Sequence, residues 1–397
     1  MQTPALLKSI QSPFAALRAQ LDGIAPGKDP IDLTIGAPKH PPPPWVAEKL
    51  NQAITSVGSY PTIQGTDELC SAILNWAIRR YPTLAGHLSA ANYLPLNGSR
   101  EGLFYASFIA KARRANIENP IILLPNPYYQ VYSAAAEAAG ATPYLLNTSK
   151  ETSFLPDLST LDPNILNRTI AFYLCSPSNP EGAVANKAYL KTTIELAKQY
   201  DFMLFSDECY SEIYDSAPPP SALEVAIETQ GNIENVCAFN SLSKRSNVPG
   251  LRSGLILGDP TFMAAFRRFR NVAAPQIPGP IQHASAHLWA DETHVGENRT
   301  LYRKKFHLAE TILNGAFSCQ KPDAGFFLWL NFSKQGGGIA AVTTLWKECG
   351  VKLLPGSYLA QTDQNGHNPA EDYARLALVT SPEHTKAALE RIINCLG

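Results

Sequence analysis

The chain has 397 residues, 45% of them hydrophobic and 17% charged, with a formal net charge of −1. That length leads to an expectation of two or three domains. The near-zero charge argues against nucleic acid or another polyanion as the main partner. No window approaches ~18 unbroken apolar residues, so no membrane-spanning helix is expected. The start, Met1–Lys8, lacks the basic-then-apolar pattern of a signal peptide. Seven cysteines, an odd number without a C-x-x-C pair, read as reduced thiols of a cytoplasmic protein.

In chain order, residues 1–45 look irregular apart from a helical patch near Phe14–Leu21, and Pro41–Pro44 enforces an extended segment. From about residue 46, short continuous apolar runs alternate with amphipathic stretches. The runs Tyr93–Leu96, Ile121–Leu124, Thr169–Leu174, Phe202–Ser206, Val236–Phe239 and Gly254–Leu257 predict strands covered on both faces. Helices are predicted at Glu101–Arg114, Tyr132–Ala139, Lys187–Tyr200 and Thr261–Phe269. Such alternation implies an α/β domain with a mainly parallel sheet sandwiched by helices. A long helix at Asn298–Leu313 then leads to strands at Gly325–Phe332, Val351–Leu354 and Arg375–Val379. With helices near Ala340–Cys349 and Pro382–Cys395, these read as a smaller α+β domain. The predicted division is an N-terminal arm (1–45), a large domain (46–295) and a small C-terminal domain (296–397).

The segment Ser241-Leu-Ser-Lys244-Arg-Ser-Asn-Val-Pro-Gly250-Leu-Arg252 carries most of the chemistry. A lysine amine forms an imine with an aldehyde cofactor. Two serine hydroxyls and a guanidinium suit the phosphate that such a cofactor carries. The segment therefore reads as an anchor for pyridoxal 5'-phosphate. The run Phe202–Tyr210 ends in an acidic pair and a tyrosine. Asp207 is a candidate for the carboxylate that keeps a pyridine nitrogen protonated, and Tyr210 could donate to the ring oxygen. Taken alone, the motif is also explained by Asp207 capping the next helix and Tyr210 packing. Asn179, in Ser-Pro-Ser-Asn179-Pro-Glu-Gly, could reach the same oxygen or simply shape a turn. Gly98-Ser99-Arg100 opens a helix whose N–H groups suit a phosphate. Tyr129 could stack on the ring or pack under a loop. Arg375 is a charge inside an apolar run, and either a substrate carboxylate or a salt bridge could partner it. His283 and His287 have helical i,i+4 spacing but lack the glutamate of a zinc-protease motif, and read as a surface or core pair. No metal site is expected.

Together these segments, from about Asp32 to Cys395, resemble the class I and II aminotransferases, pyridoxal-phosphate enzymes of fold type I. The resemblance implies that Lys244 is the Schiff-base lysine, that Asp207 pairs with the pyridinium nitrogen, and that Tyr210 and Asn179 contact the ring oxygen. It implies a phosphate site of Ser241, Ser243 and Arg252 facing Gly98, Ser99 and Arg100, with Tyr129 on the ring. Tyr60 matches the tyrosine that reaches the neighbouring subunit's phosphate, which implies a homodimer with shared sites. Gly36 and Arg375, with Asn179, match the substrate-carboxylate site. The stretch Lys244-Arg245-Ser-Asn-Val-Pro-Gly departs from the commonest family version. It resembles the N-succinyldiaminopimelate aminotransferases of bacterial lysine biosynthesis, as do the segments around Phe14 and Pro38. That implies amino transfer between N-succinyl-LL-2,6-diaminopimelate and 2-oxoglutarate, with Arg245 or Arg100 as a second cationic contact. Aspartate, aromatic or kynurenine aminotransferases and C–S lyases share the cofactor residues, so they remain alternatives. A regulator's effector-binding half is disfavoured by the missing helix-turn-helix.

Overall fold

The computed structural model describes residues 12–319, 321–363 and 366–397. The stretch Met1–Lys8 read above for targeting lies outside them. Twelve strands are named in chain order: β1 (Ile31–Asp32), β2 (Tyr93–Leu96), β3 (Ile121–Asn126), β4 (Thr142–Asn147), β5 (Thr169–Cys175), β6 (Met203–Asp207), β7 (Val236–Ser241), β8 (Gly254–Gly258), β9 (Phe327–Asn331), β10 (Val351–Lys352), β11 (Leu354–Pro355) and β12 (Tyr373–Ala377).

Strands β2 to β8 form one sheet in the order β2-β8-β7-β6-β5-β3-β4. Every pairing from β4 across to β7 is parallel, and β8 alone runs antiparallel to both its neighbours. The inner strands are buried along their whole length, which is why their sequences are unbroken apolar runs rather than alternating ones. From β3 the chain goes outward to β4, then returns to the other side of β3 to lay down β5, β6 and β7. The reversal of strand order therefore lies between β3 and β5, the place where open α/β sheets bind ligands beyond their carboxyl ends. The fold-class expectation is met: a mainly parallel sheet flanked by helices.

The carboxy-terminal strands form a separate antiparallel sheet, β11-β12-β9. β1 pairs in parallel with β10, so the chain's beginning is tied to its last hundred residues. The run predicted as one strand over Val351–Leu354 is thus two short strands serving different partners. β4 was not predicted. It is an edge strand, only half-buried and interrupted by Pro143, so its sequence lacks the apolar run of its neighbours. The helices Asp67–Arg80, Ala222–Gln230 and Gly279–Ala290 were also not predicted. The first carries its signal in its cap: the Thr66 hydroxyl accepts from the Leu69 N–H at 3.2 Å, with Asp67 and Glu68 in the first turn.

Leu204 lies in the middle of β6, fully buried, three residues before Asp207. Leu204→Ala should cost about 2–5 kcal/mol and lower the denaturant midpoint for unfolding of the apoprotein. An unchanged midpoint would show that the core does not bear on this strand.

Candidate active site

At the carboxyl ends of β3, β5, β6 and β7 lies a cavity of about 280 Å3. Its wall includes Ser99, Arg100, Tyr129, Asn179, Asp207, Tyr210, Ser241, Ser243, Lys244, Arg252 and Arg375. Gly36 lines it as well, carried by the extended segment after β1. Residues as far apart in sequence as Gly36 and Arg375 thus converge, because successive strands deliver them to one edge.

Lys244 sits in a four-residue helix, Leu242–Arg245, that starts directly from β7. The Ser241 hydroxyl caps it, accepting from the Ser243 N–H at 3.1 Å. The Lys244 amine donates to the carbonyl of Gly36 and lies 5.5 Å from the ring centre of Phe326 and 5.7 Å from that of Tyr210. Burial among these groups pushes its pKa down to about 8. Gly36 must be glycine here, because a Cβ would fall 2.6 Å from the ring of Phe327.

Asp207 ends β6, fully buried, and burial raises its pKa. Its Oδ2 accepts from the Tyr132 hydroxyl at 2.6 Å and its Oδ1 from the Cys209 N–H at 3.3 Å. Tyr132 stacks on Tyr173 with ring centres 4.8 Å apart and an angle of 9°. It stands three residues after Tyr129, at the start of the helix predicted over Tyr132–Ala139, and nothing in the sequence signals its hold on Asp207. The neighbouring Glu208 turns the other way. Its carboxylate accepts from Ser206 Oγ and Ser221 Oγ at 3.0 Å and from the Ala222 N–H at 2.9 Å. The helix-capping role considered for Asp207 belongs to Glu208.

Gly98 precedes the helix Ser99–Arg113 with φ +80 and supplies no side-chain cap, so the first-turn N–H groups beside the cavity-lining Ser99 and Arg100 are left without one. A Cβ on Gly98 would fall 2.3 Å from the Arg252 guanidinium. Arg252 itself adopts φ +55, a conformation costing a side-chain-bearing residue of order 1–3 kcal/mol. Its Nη1 donates to the Pro249 carbonyl at 3.0 Å. Behind this turn Arg270 grips Glu101 through Nε at 3.1 Å and Nη2 at 2.8 Å, while Glu101 accepts from the Asn97 N–H at 3.2 Å. The Cys209 thiol donates to Ser99 Oγ at 3.1 Å.

Arg375, in β12, is 4% exposed. Its Nη1 donates to Asn179 Oδ1 and its Nη2 to the Thr34 carbonyl, both at 2.6 Å. Its Nε is buried with no partner, and no ion pair among the described residues involves it. The salt-bridge alternative therefore does not hold. The guanidinium lies 4.5 Å over the Phe327 ring, and burial pushes its pKa down to about 10. Arg100 donates through Nε to the Tyr129 hydroxyl at 2.5 Å, at the open side of the cavity. Arg245 is elsewhere. It is 2% exposed and points behind the site, with Nη1 donating to the Leu288 carbonyl and Nη2 to Glu292 at 2.7 Å, and Nε 3.7 Å from Glu212. The expectation that Arg245 meets substrate is corrected: next to Lys244 on one helical turn, it projects about 100° round the axis, and Leu288, Glu292 and Glu212 hold it outside the cavity. Tyr60 is 99% exposed and clear of the cavity.

Residues 28–392 match the family description "Aminotransferase class I and II". The chain belongs to the class I and II aminotransferases. Over its whole length it superimposes on an aminotransferase from Neisseria meningitidis, with a TM-score of 0.92, 37% identity and 100% of both chains covered. An LL-diaminopimelate aminotransferase from Aquifex aeolicus is 30% identical over 392 residues, covering 96% of this chain and 95% of that protein. A probable N-succinyldiaminopimelate aminotransferase from Thermus thermophilus is 25% identical at a TM-score of 0.84, covering 97% of this chain and 100% of that one.

The cofactor of this aminotransferase is pyridoxal 5'-phosphate, and the cavity fits it. Its wall holds four cationic side chains, Lys244, Arg100, Arg252 and Arg375, against one carboxylate, Asp207. That surplus suits a phosphate and a substrate carboxylate. The glycine at 98 leaves the room beside Arg252 that the phosphate end requires.

An amine attacks an aldehyde only when neutral. With Lys244 pushed down to about 8, its neutral fraction rises toward that pH rather than toward the ~10.4 of a free lysine. The rate at which apoenzyme regains covalently held cofactor should climb about tenfold per pH unit below 8 and level off above it. An inflection near that of a free lysine would show that the amine is not desolvated.

Proposed function

We propose that this aminotransferase moves an amino group between N-succinyl-LL-2,6-diaminopimelate and 2-oxoglutarate, giving N-succinyl-2-amino-6-ketopimelate and glutamate, in cytoplasmic lysine biosynthesis by the diaminopimelate route. One observation carries the choice: among the described residues lining the cavity, Asp207 is the only acid, and the Tyr132 hydroxyl and Cys209 N–H already engage it. A free diaminopimelate presents a distal ammonium that would need an anionic partner. The succinylated form replaces that ammonium with a neutral amide and an added carboxylate, which Arg100 at the open side can meet. The name of the Aquifex aeolicus relative favours a second reading, in which the donor is LL-diaminopimelate itself.

When bound, pyridoxal 5'-phosphate supplies an electron sink for the carbanion at the substrate Cα. In our reading Arg375 holds the α-carboxylate through its guanidinium edge, with Asn179 Oδ1 fixing that guanidinium and Gly36 leaving room beside it. The Lys244 amine anchors the cofactor, then takes the proton from the donor Cα and returns one to Cα in the reverse half-reaction. Asp207, held by Tyr132, would serve the ring nitrogen, and Tyr210 and Asn179 the ring oxygen. Ser99, Ser241, Ser243, Arg252 and the N–H groups following Gly98 would hold the phosphate, and Tyr129 the ring. Phe14 and Phe327 add apolar surface to the cavity wall. Tyr60, wholly exposed in the single chain, fits a role in the neighbouring site of a homodimer. We place the domain limits at 1–45, 46–295 and 296–397.

Two measurements test this. With 2-oxoglutarate as acceptor, kcat/KM for N-succinyl-LL-2,6-diaminopimelate should exceed that for LL-diaminopimelate at least tenfold, and Arg100→Ala should raise KM for the former. Lys244→Ala should lose both turnover and the visible absorbance of covalently held cofactor. A preference for unmodified diaminopimelate would support the second reading, release of pyruvate and ammonia would point to a lyase, and turnover by Lys244→Ala would end the proposal for that residue. Separately, Tyr132→Phe removes a hydrogen bond to a buried carboxylate, a contact contributing roughly 1.5–3 kcal/mol. It should lower kcat roughly 10- to 100-fold with KM little changed; an unaltered kcat would show that Tyr132 only packs.

A further inference from the structure

The pair His283 and His287 gains a third member in the fold. Both lie on the helix Gly279–Ala290, and Glu68, from the first turn of Asp67–Arg80, reaches between them. A ligating atom of each lies within 4.8 Å of the other two. His283 Nδ1 is 3.0 Å from Glu68 Oε2, and the imidazole centres are 4.6 Å apart. Two ligands ~2.1 Å from one ion stand roughly 3.0–3.4 Å apart, so the His283–Glu68 pair already has the spacing of neighbouring ligands. His287 Nδ1 is 3.8 Å from Glu68 Oε1, and a side-chain rotation closes that gap.

The surroundings select the same chemistry. His283 Nε2 faces Gln52 Oε1 at 3.5 Å while its Nδ1 faces the carboxylate. His287 directs Nδ1 at the His283 carbonyl, 3.1 Å away. That contact and coordination would use the same nitrogen, so the rotation that brings Nδ1 toward Glu68 also releases the His283 carbonyl. None of the three residues lines the cofactor cavity.

We propose that Glu68, His283 and His287 form a binding site for a borderline divalent transition ion of the zinc class, with water completing the coordination. The ion cross-links the two helices, and through Gln52 it reaches the helix Val46–Gln52 that leads into the segment carrying Tyr60. Its role is structural rather than catalytic.

Equilibrium dialysis of the cofactor-loaded enzyme against Zn2+ should find one ion per chain at micromolar concentration, removable by chelator, with a higher melting temperature in zinc. His283→Gln and His287→Gln should each weaken binding at least tenfold and Glu68→Gln several-fold, and the zinc-dependent rise in melting temperature should shrink in the same order. Unchanged visible absorbance of the bound cofactor and unchanged turnover in each variant report intact folding. If wild type takes up no zinc at 100-fold excess over enzyme, or if the His283→Gln/His287→Gln double variant binds as tightly as wild type, the site does not exist.

Discussion

Arg375 carries a charge into a pocket walled by Phe327 and Tyr210 with no carboxylate opposite it. The desolvation of such an ion costs several kcal/mol, and Asn179 Oδ1 and the Thr34 carbonyl offset only part of it. Lys244, in the same pocket, meets the same penalty by a different route. Its amine can shed a proton, and burial brings that event to about pH 8. A guanidinium cannot do so in this range. One desolvating environment therefore yields two tools. The group able to deprotonate is suited to act as nucleophile and base, and the group unable to do so is suited to receive an anion. In the proposed reading, cofactor and substrate bring the negative charge that this pocket lacks.

The sheet makes that arrangement possible by dividing neighbours in sequence between its front and back. At the end of β6, Asp207 enters the cavity while Glu208 caps the helix Ala222–Gln230. On the turn after β7, Lys244 enters while Arg245 joins Glu212 and Glu292 behind it. In each pair the rear residue binds the strand's end to a neighbouring element. The front residue is thereby free of that anchoring task and meets only partners at the cavity wall: Tyr132 and Cys209 for Asp207, Gly36 for Lys244. Arg270, bound to Glu101 and the Pro95 carbonyl, does the same for the turn at Gly98.

Much of this was legible in the sequence, for identifiable reasons. The inner strands are covered on both faces, so burial wrote itself into them as unbroken apolar runs. The cofactor residues stand at fixed offsets within short loops, where spacing alone shows that hydroxyls, an amine and a guanidinium share a turn. What could not be read was the direction in which a side chain points and the partner it meets from another element. Lys244-Arg245 is two cations on paper, and only the helical turn shows that one must face away. Tyr132 was visible as an aromatic, but its bond to Asp207 depends on how β3 and β6 lie with β5 between them. The half-exposed β4 and the helix Asp67–Arg80 escaped notice because edge exposure and a polar first turn dilute the apolar pattern.

The extended segment after β1 shows how the two sheets are made to share one site. Its Leu33 donates through N–H to the Lys352 carbonyl and accepts from the Ala377 N–H, fixing it between β10 and the end of β12. One residue on, the Thr34 carbonyl holds Arg375, and two further on, the Gly36 carbonyl receives the Lys244 amine. The anion receptor of the smaller sheet and the amine of the larger are thus joined through one short strap. At Gly36 that strap lies so close to Phe327 that no side chain fits. Any displacement of the smaller sheet relative to the larger must pull on the carbonyl that meets Lys244, so carboxylate capture and amine positioning are geometrically coupled through this segment.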